Sequence, residues 1–256
     1  MTTTVERTLA ALCFCTLLAG PLVAQGQPPR LIPVEKEIAM GRQMAAELER
    51  QVRVVHDPAI SEYVNRVGKN LVLNSDSYIP FAIQLVDSEE VNALSLPGGY
   101  VYINAGIILA AENEAELAAV IAYQIAHIVA RHGAEITLPP VFIDFGGFTY
   151  RQSPGSQVRT EFLQTLRKDV AEADSLGVQY LYKTGYDPRA AVRFLEKLQA
   201  LELAAPSTSR THPPTAERIE ATQKSIDANL APRAQNVLTT AEFESIKRRV
   251  FSKDWK

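Results

Sequence analysis

The sequence predicts an α+β protein, mostly helical, with a small β-sheet packed on one buried central helix. Three observations carry that expectation. Apolar residues recur at helical spacing along most of the chain. Two β-prone runs, at 80–87 and 100–103, lie on either side of a Pro97-Gly98-Gly99 turn. Residues 116–132 are apolar nearly all round, as in a helix covered on most sides. With 256 residues, 46% hydrophobic and 21% charged, the chain has ample material for a closed core. A net charge of −3, with no basic cluster interleaved with aromatics, speaks against nucleic acid as a partner.

At the N-terminus, MTTTVERTLAALCFCTLLAGPLVAQGQ has Arg7, an apolar run from Leu9 through Ala19 and small residues around Ala24. That is the layout of a secretory signal peptide, expected over 1–24, and the run is short for a membrane span of about 20 apolar residues. Cys13 and Cys15 both fall inside it. The chain beyond the signal therefore has no disulfide, no cysteine nucleophile and no thiolate metal site. The remainder, 32–256, reads as a single domain, exported to the periplasm or secreted, with no transmembrane segment once the signal is removed.

Residues 34–55 place Ile38, Met44, Leu48 and Val52 on one side of a helix. Asp57-Pro58 opens a second, with Pro58 at the first helical position and Ile60, Tyr63, Val64, Val67 and Leu71 at helical spacing. Residues 80–87 alternate as a strand. Residues 91–111 combine an extended piece, the Pro97-Gly98-Gly99 turn and the β-prone run at 100–103, a hairpin or turn that exposes strand edges. Asn113 then caps the central helix, with Glu116 three residues on in a capping-box arrangement. A helical stretch over 161–198, a turn holding His212, a helix from Pro213 to Ile219 and an amphipathic C-terminal helix complete the chain.

The chemistry gathers on the central helix, at IAYQIAHIVARHG (121–133). Tyr123 and His127 are four residues apart, on one face. In a His-Glu-x-x-His helix that spacing lets two imidazoles converge on one zinc while the glutamate reaches its water. Here the first two positions hold Tyr123 and Gln124. Glu172, flanked by Ala171 and Ala173, can approach from the next helix as a further ligand, with Asp174 beside it. A plainer reading is also open, in which His127 is a core histidine paired with Glu172. His132 reads as a helix-end residue favoured by the dipole. His56 reads as a loop residue, and Tyr100, Tyr102 and Tyr186 as packing residues.

Four blocks, LPGGYVYINAG, NEAELAAVIAYQIAHIVARHG, AEADSLGVQYLYKTGYDPRAAVRFLEKL and THPPTAERI, come in the order and spacing of one family. The chain resembles the zinc metallopeptidases of the gluzincin clan that include CAAX prenyl proteases, the heat-shock protease HtpX and BepA-type periplasmic protease-chaperones. The resemblance runs from about 32 to about 219. It implies a gluzincin-like metallopeptidase domain, with zinc ligands at His127 and Glu172 and an orienting role for Asp174. It also implies a loop histidine at His212 that reaches the metal, and an ordering role for Arg218. The first zinc histidine falls on Tyr123 and the catalytic glutamate on Gln124.

Those two departures decide the functional expectation. A tyrosine binds zinc only as phenolate, against a reference pKa of about 10. An amide cannot take a proton from zinc-bound water, and general bases contribute about 10²–10⁴-fold. Proteolysis is therefore expected to be lost or strongly impaired. His127, Glu172 and His212 remain as a possible set for zinc, and an enzyme using that altered set is the competing reading. The resemblance further implies a groove in which an extended peptide adds along a strand edge, here Leu94-Ser95-Leu96 leading into Pro97-Gly98-Gly99. The expected partners are extended or unfolded polypeptide segments or a partner protein, in a chaperone-like or regulatory role.

Overall fold

The computed structural model describes residues 31–134, 142–144, 148–149, 160–204 and 213–255. The expected signal peptide and His212 lie outside the described residues. The elements are α1 (Val34–Glu49), α2 (Pro58–Leu73), β1 (Ala82–Val86), β2 (Ala93–Leu96), β3 (Tyr100–Asn104), α3 (Ala105–Ala110), α4 (Glu114–Val129), β4 (Phe142–Asp144), β5 (Phe148–Thr149), α5 (Thr160–Thr184), α6 (Arg189–Ala204), α7 (Thr215–Asn229) and α8 (Ala241–Ser252). This is the mostly helical α+β arrangement that the periodicity predicts.

Local chemistry explains the main boundaries. Asp57 caps α2 by accepting from the Ile60 N–H at 3.0 Å, with Pro58 beginning the helix. Asn113 caps α4 by accepting from the Glu116 N–H at 3.1 Å. The Glu116 side chain reaches back one residue further than a capping box requires, accepting from the Glu112 N–H at 2.9 Å. Two expectations need correction. The first helix ends at Glu49, because the β-prone Gln51-Val52-Arg53-Val54-Val55 runs out beside β1, where the Val55 N–H donates to the Leu85 carbonyl at 2.8 Å. The stretch from 161 is two helices, broken where Gly185 takes φ +93° ahead of Pro188.

The sheet runs β1-β3-β2-β4-β5, with β1 parallel to β3 and the remaining neighbours antiparallel. The β2–β3 hairpin turns on Gly98 and Gly99, at φ +76° and +97°. A Cβ at Gly98 would fall 2.6 Å from the Ile38 Cα, so the turn needs both the positive φ and the missing side chain. The outer edge of β2 does not stand open. Leu94 faces Asp144 and Ser95 faces Ile143 across the β2–β4 ladder. Free strand-edge groups are a template for pairing, and the chain supplies the pairing strand itself.

Helix α4 forms the centre, buried from Glu114 through Ile128. It packs most extensively on α5, where Gly177 lets the backbones approach. A Cβ there would lie 3.2 Å from the Tyr123 nitrogen. The C-terminal amphipathic helix is α8, which buries Phe243, Ile246 and Val250 in the main core. Its fastenings are polar. Arg249 donates twice to Asp57 Oδ2, at 2.8 and 2.6 Å, and Lys253 pairs with Glu89 at 2.7 Å. The buried Glu114 carboxylate accepts from Tyr63 Oη at 3.0 Å, from Tyr186 Oη at 2.6 Å and from Thr240, the cap of α8. No helix among the described residues is long and apolar enough to cross a membrane.

Candidate functional site

Tyr123, Gln124 and His127 are all buried on α4. The Tyr123 and His127 rings meet edge to face with centroids 4.6 Å apart, as their four-residue spacing requires. Over the Tyr123 ring lies the Arg218 guanidinium of α7, 5.0 Å from the centroid. Arg218 is held there by a bidentate pair with Asp174 of α5, at 2.9 and 2.8 Å. Burial pulls the guanidinium's pKa down, but the neighbouring Asp174 and Tyr123 push it up overall, so the cation is secure. Asp174 and Arg218, implied separately as neighbours of the site, thus pair with each other and tie α5 to α7 over Tyr123.

His132 is the residue that sequence reasoning missed. Helix α4 ends at Val129 with Ala130 as its C-cap, and Arg131 takes the left-handed conformation at φ +58°. That single left-handed residue folds the chain back, so that His132 is buried beneath the helix end instead of extending from it. The strained conformation is held by Glu37 of α1, which accepts from Arg131 Nε at 2.8 Å. His132 Nδ1 then lies 2.9 Å from His127 Nδ1, and its Nε2 lies 3.3 Å from Glu172 Oε2. Burial lowers the pKa of His132, and the bond to Glu172 opposes part of that shift. A neutral His132 donating from Nε2 to the carboxylate must accept at Nδ1. His127 therefore donates from Nδ1 and keeps Nε2 as an acceptor. The sequence held no signal for this turn, because the left-handed position falls on Arg131 and not on Gly133.

Glu172 is accordingly brought to the site, but through His132, and 60% of its side chain is exposed. The plainer expectation of a direct His127–Glu172 pair gives way to a Glu172–His132–His127 chain. A zinc site needs about three protein ligands converging on one point. The chain of bonds leaves one imidazole acceptor, at His127 Nε2, while the carboxylate is turned to His132. No group of three histidine, cysteine or acidic side chains able to hold an ion exists among the described residues. His212, the third candidate ligand, lies outside the described residues.

Gln124 points away from this chain. Its Nε2 donates to the Ala93 carbonyl at the start of β2, at 3.2 Å, and its side chain is fully buried. Ser95 is buried on the same strand. Ser95, Leu96, Pro97 and His127 line a cavity of about 10 Å³ with Glu37 and Arg131, room for one water. The expected peptide edge, Leu94 to Gly99, therefore lies directly against the face of α4 that carries Gln124 and His127.

Residues 56–226 match the model of peptidase family M48. The chain is 27% identical over 229 residues to a beta-barrel assembly-enhancing protease of Yersinia pestis, covering 74% of this chain and 46% of that protein. It is 31% identical over 175 residues to the mitochondrial metalloendopeptidase OMA1 of Schizosaccharomyces pombe, covering 61% of this chain and 50% of that one. With OMA1 of Arabidopsis thaliana it shares 35% over 129 residues, covering 48% and 27%. The chain thus spans half or less of the length of these curated relatives. Helices α1 and α8 lie outside the span that matches the family.

Proposed function

Because the chain belongs to peptidase family M48, we propose that it is a non-proteolytic member that holds extended polypeptide segments or a partner protein, in a chaperone-like or regulatory role. The observation that carries this reading is Gln124. It stands where the resemblance puts the general base, it is fully buried, and its amide is committed to the Ala93 carbonyl. An amide accepts no proton from water at neutral pH, which removes a contribution of about 10²–10⁴-fold. The donor set supports the same reading, since the Tyr123 ring packs against Arg218 and His127, and Glu172 is bound to His132. The layout of residues 1–24 supports export to the periplasm or secretion.

The test is a casein-cleavage assay with zinc supplied. Wild type is expected to leave casein intact, while the Tyr123→His/Gln124→Glu double variant recovers the peptidase motif and is the one protein expected to cleave. Cleavage by wild type that disappears in Glu172→Ala sinks the proposal. That result would establish a zinc endopeptidase using His127, Glu172 and His212.

A further inference from the structure

Backbone groups of successive residues in a strand point to opposite edges. The Asn104 N–H of β3 donates to the Asn92 carbonyl at 3.0 Å, so Asn92 faces β3. Alternation then turns the N–H and C=O of Leu94 toward β3, and those of Ala93 and Ser95 toward the opposite, outer edge of β2. Both outward positions are taken from within the chain. Ser95 stands opposite Ile143 of β4. The Ala93 carbonyl accepts from Gln124 Nε2 at 3.2 Å. A glutamate at 124, ionised at neutral pH, would have acceptors only and could not make that bond. The glutamine is thus more than a missing base, because it contributes a donor that the residue implied by the resemblance lacks.

We propose that the outer edge of β2 is closed by the chain itself, through β4 at Ser95 and the Gln124 amide at Ala93, so that an extended polypeptide adds to β2 only by displacing β4. The proposal rests on the peptide-holding reading above and gives it a control. A binding-competent state that is only partly populated weakens the apparent affinity by its fraction. One hydrogen-bonded ladder pair, Ser95 with Ile143, and one side-chain cap at Ala93 set that fraction. Displacement releases β4 intact and leaves Gln124 as a fixed end-stop, so the incoming strand's register begins at Ser95.

Two measurements on the full chain test this. The first is amide exchange at Ser95, in wild type and in Ile143→Pro, which removes the N–H opposite Ser95; Ile143→Val keeps the N–H and serves as the control. Slow exchange in wild type and Ile143→Val, with fast exchange in Ile143→Pro, is expected. Ser95 exchanging at the rate of an open loop in wild type overturns the closed edge, whether or not the proline variant folds. The second is binding of fluorescein-labelled β-casein, an unfolded chain. Ile143→Pro is expected to bind about tenfold tighter than wild type. Equal affinity in the two proteins overturns displacement. Protection at Ser95 with no casein binding by either protein supports the closed edge and removes the peptide-holding reading.

Discussion

At residue scale, position 123 carries a tyrosine where the resemblance implies a histidine. Its ring meets both the Arg218 guanidinium and the His127 ring. The Arg218 side chain is 4% exposed and that of Asp174 is 13% exposed, so neither charge has water to fall back on. Breaking a buried pair by removing one partner costs about 3–5 kcal/mol. Asp174→Asn is expected to lose that much in urea unfolding, through a lower midpoint with an unchanged slope. A loss near that of an exposed surface pair, under about 1 kcal/mol, would show that the pair does not hold α5 to α7. The sequence made Asp174 and Arg218 legible as site neighbours. It could not reveal that they hold each other, since 44 residues separate them. His132 escaped for a different reason. Its position follows from one left-handed residue, Arg131, and arginine carries no signal for that conformation.

At the scale of elements, caps and turns were legible because their chemistry is local. Asp57-Pro58, Asn113 and the Gly98-Gly99 turn all act where the sequence indicates. The short helix α3 and the strands β4 and β5 were not legible, and the edge that seemed open is paired. Two or three residues of strand gain their conformation from a partner already in place, not from their own composition. Helix α8 gives a second test. Its Arg249 hydrogen-bonds Asp57 and holds that carboxyl below its ordinary value of 3.8. A carboxyl with a depressed folded-state pKa adds stability above its unfolded value and loses it as pH falls through the folded one. The melting-temperature gap between wild type and Arg249→Met is therefore expected to be full at about pH 6 and to narrow below the ordinary carboxyl value. A gap constant across that range would show that Arg249 acts by packing alone.

At the scale of the whole molecule, the layers are joined by apolar burial and by hydrogen-bonded carboxylates. Glu114 joins α4 to α2 through Tyr63, to the end of α5 through Tyr186, and to α8 through Thr240. Among the described residues no group of three histidine, cysteine or acidic side chains stands ready to add an ion to this framework. Excess EDTA is accordingly expected to leave the calorimetric melting temperature where it was. A clear fall, reversed by added zinc, would show an ion binding that supports the fold. The fold class was legible because periodicity reports burial, and burial is what a single core decides. The joints were not, because each pairs residues far apart along the chain. The Asp57–Arg249 joint spans 192 residues. A ribosome delivers α2 long before α8, so the cap of α2 waits for its partner until the chain has grown by a further 192 residues. Final closure of the core is thus timed by synthesis, and a nascent chain that has not yet reached α8 remains short of its locked state.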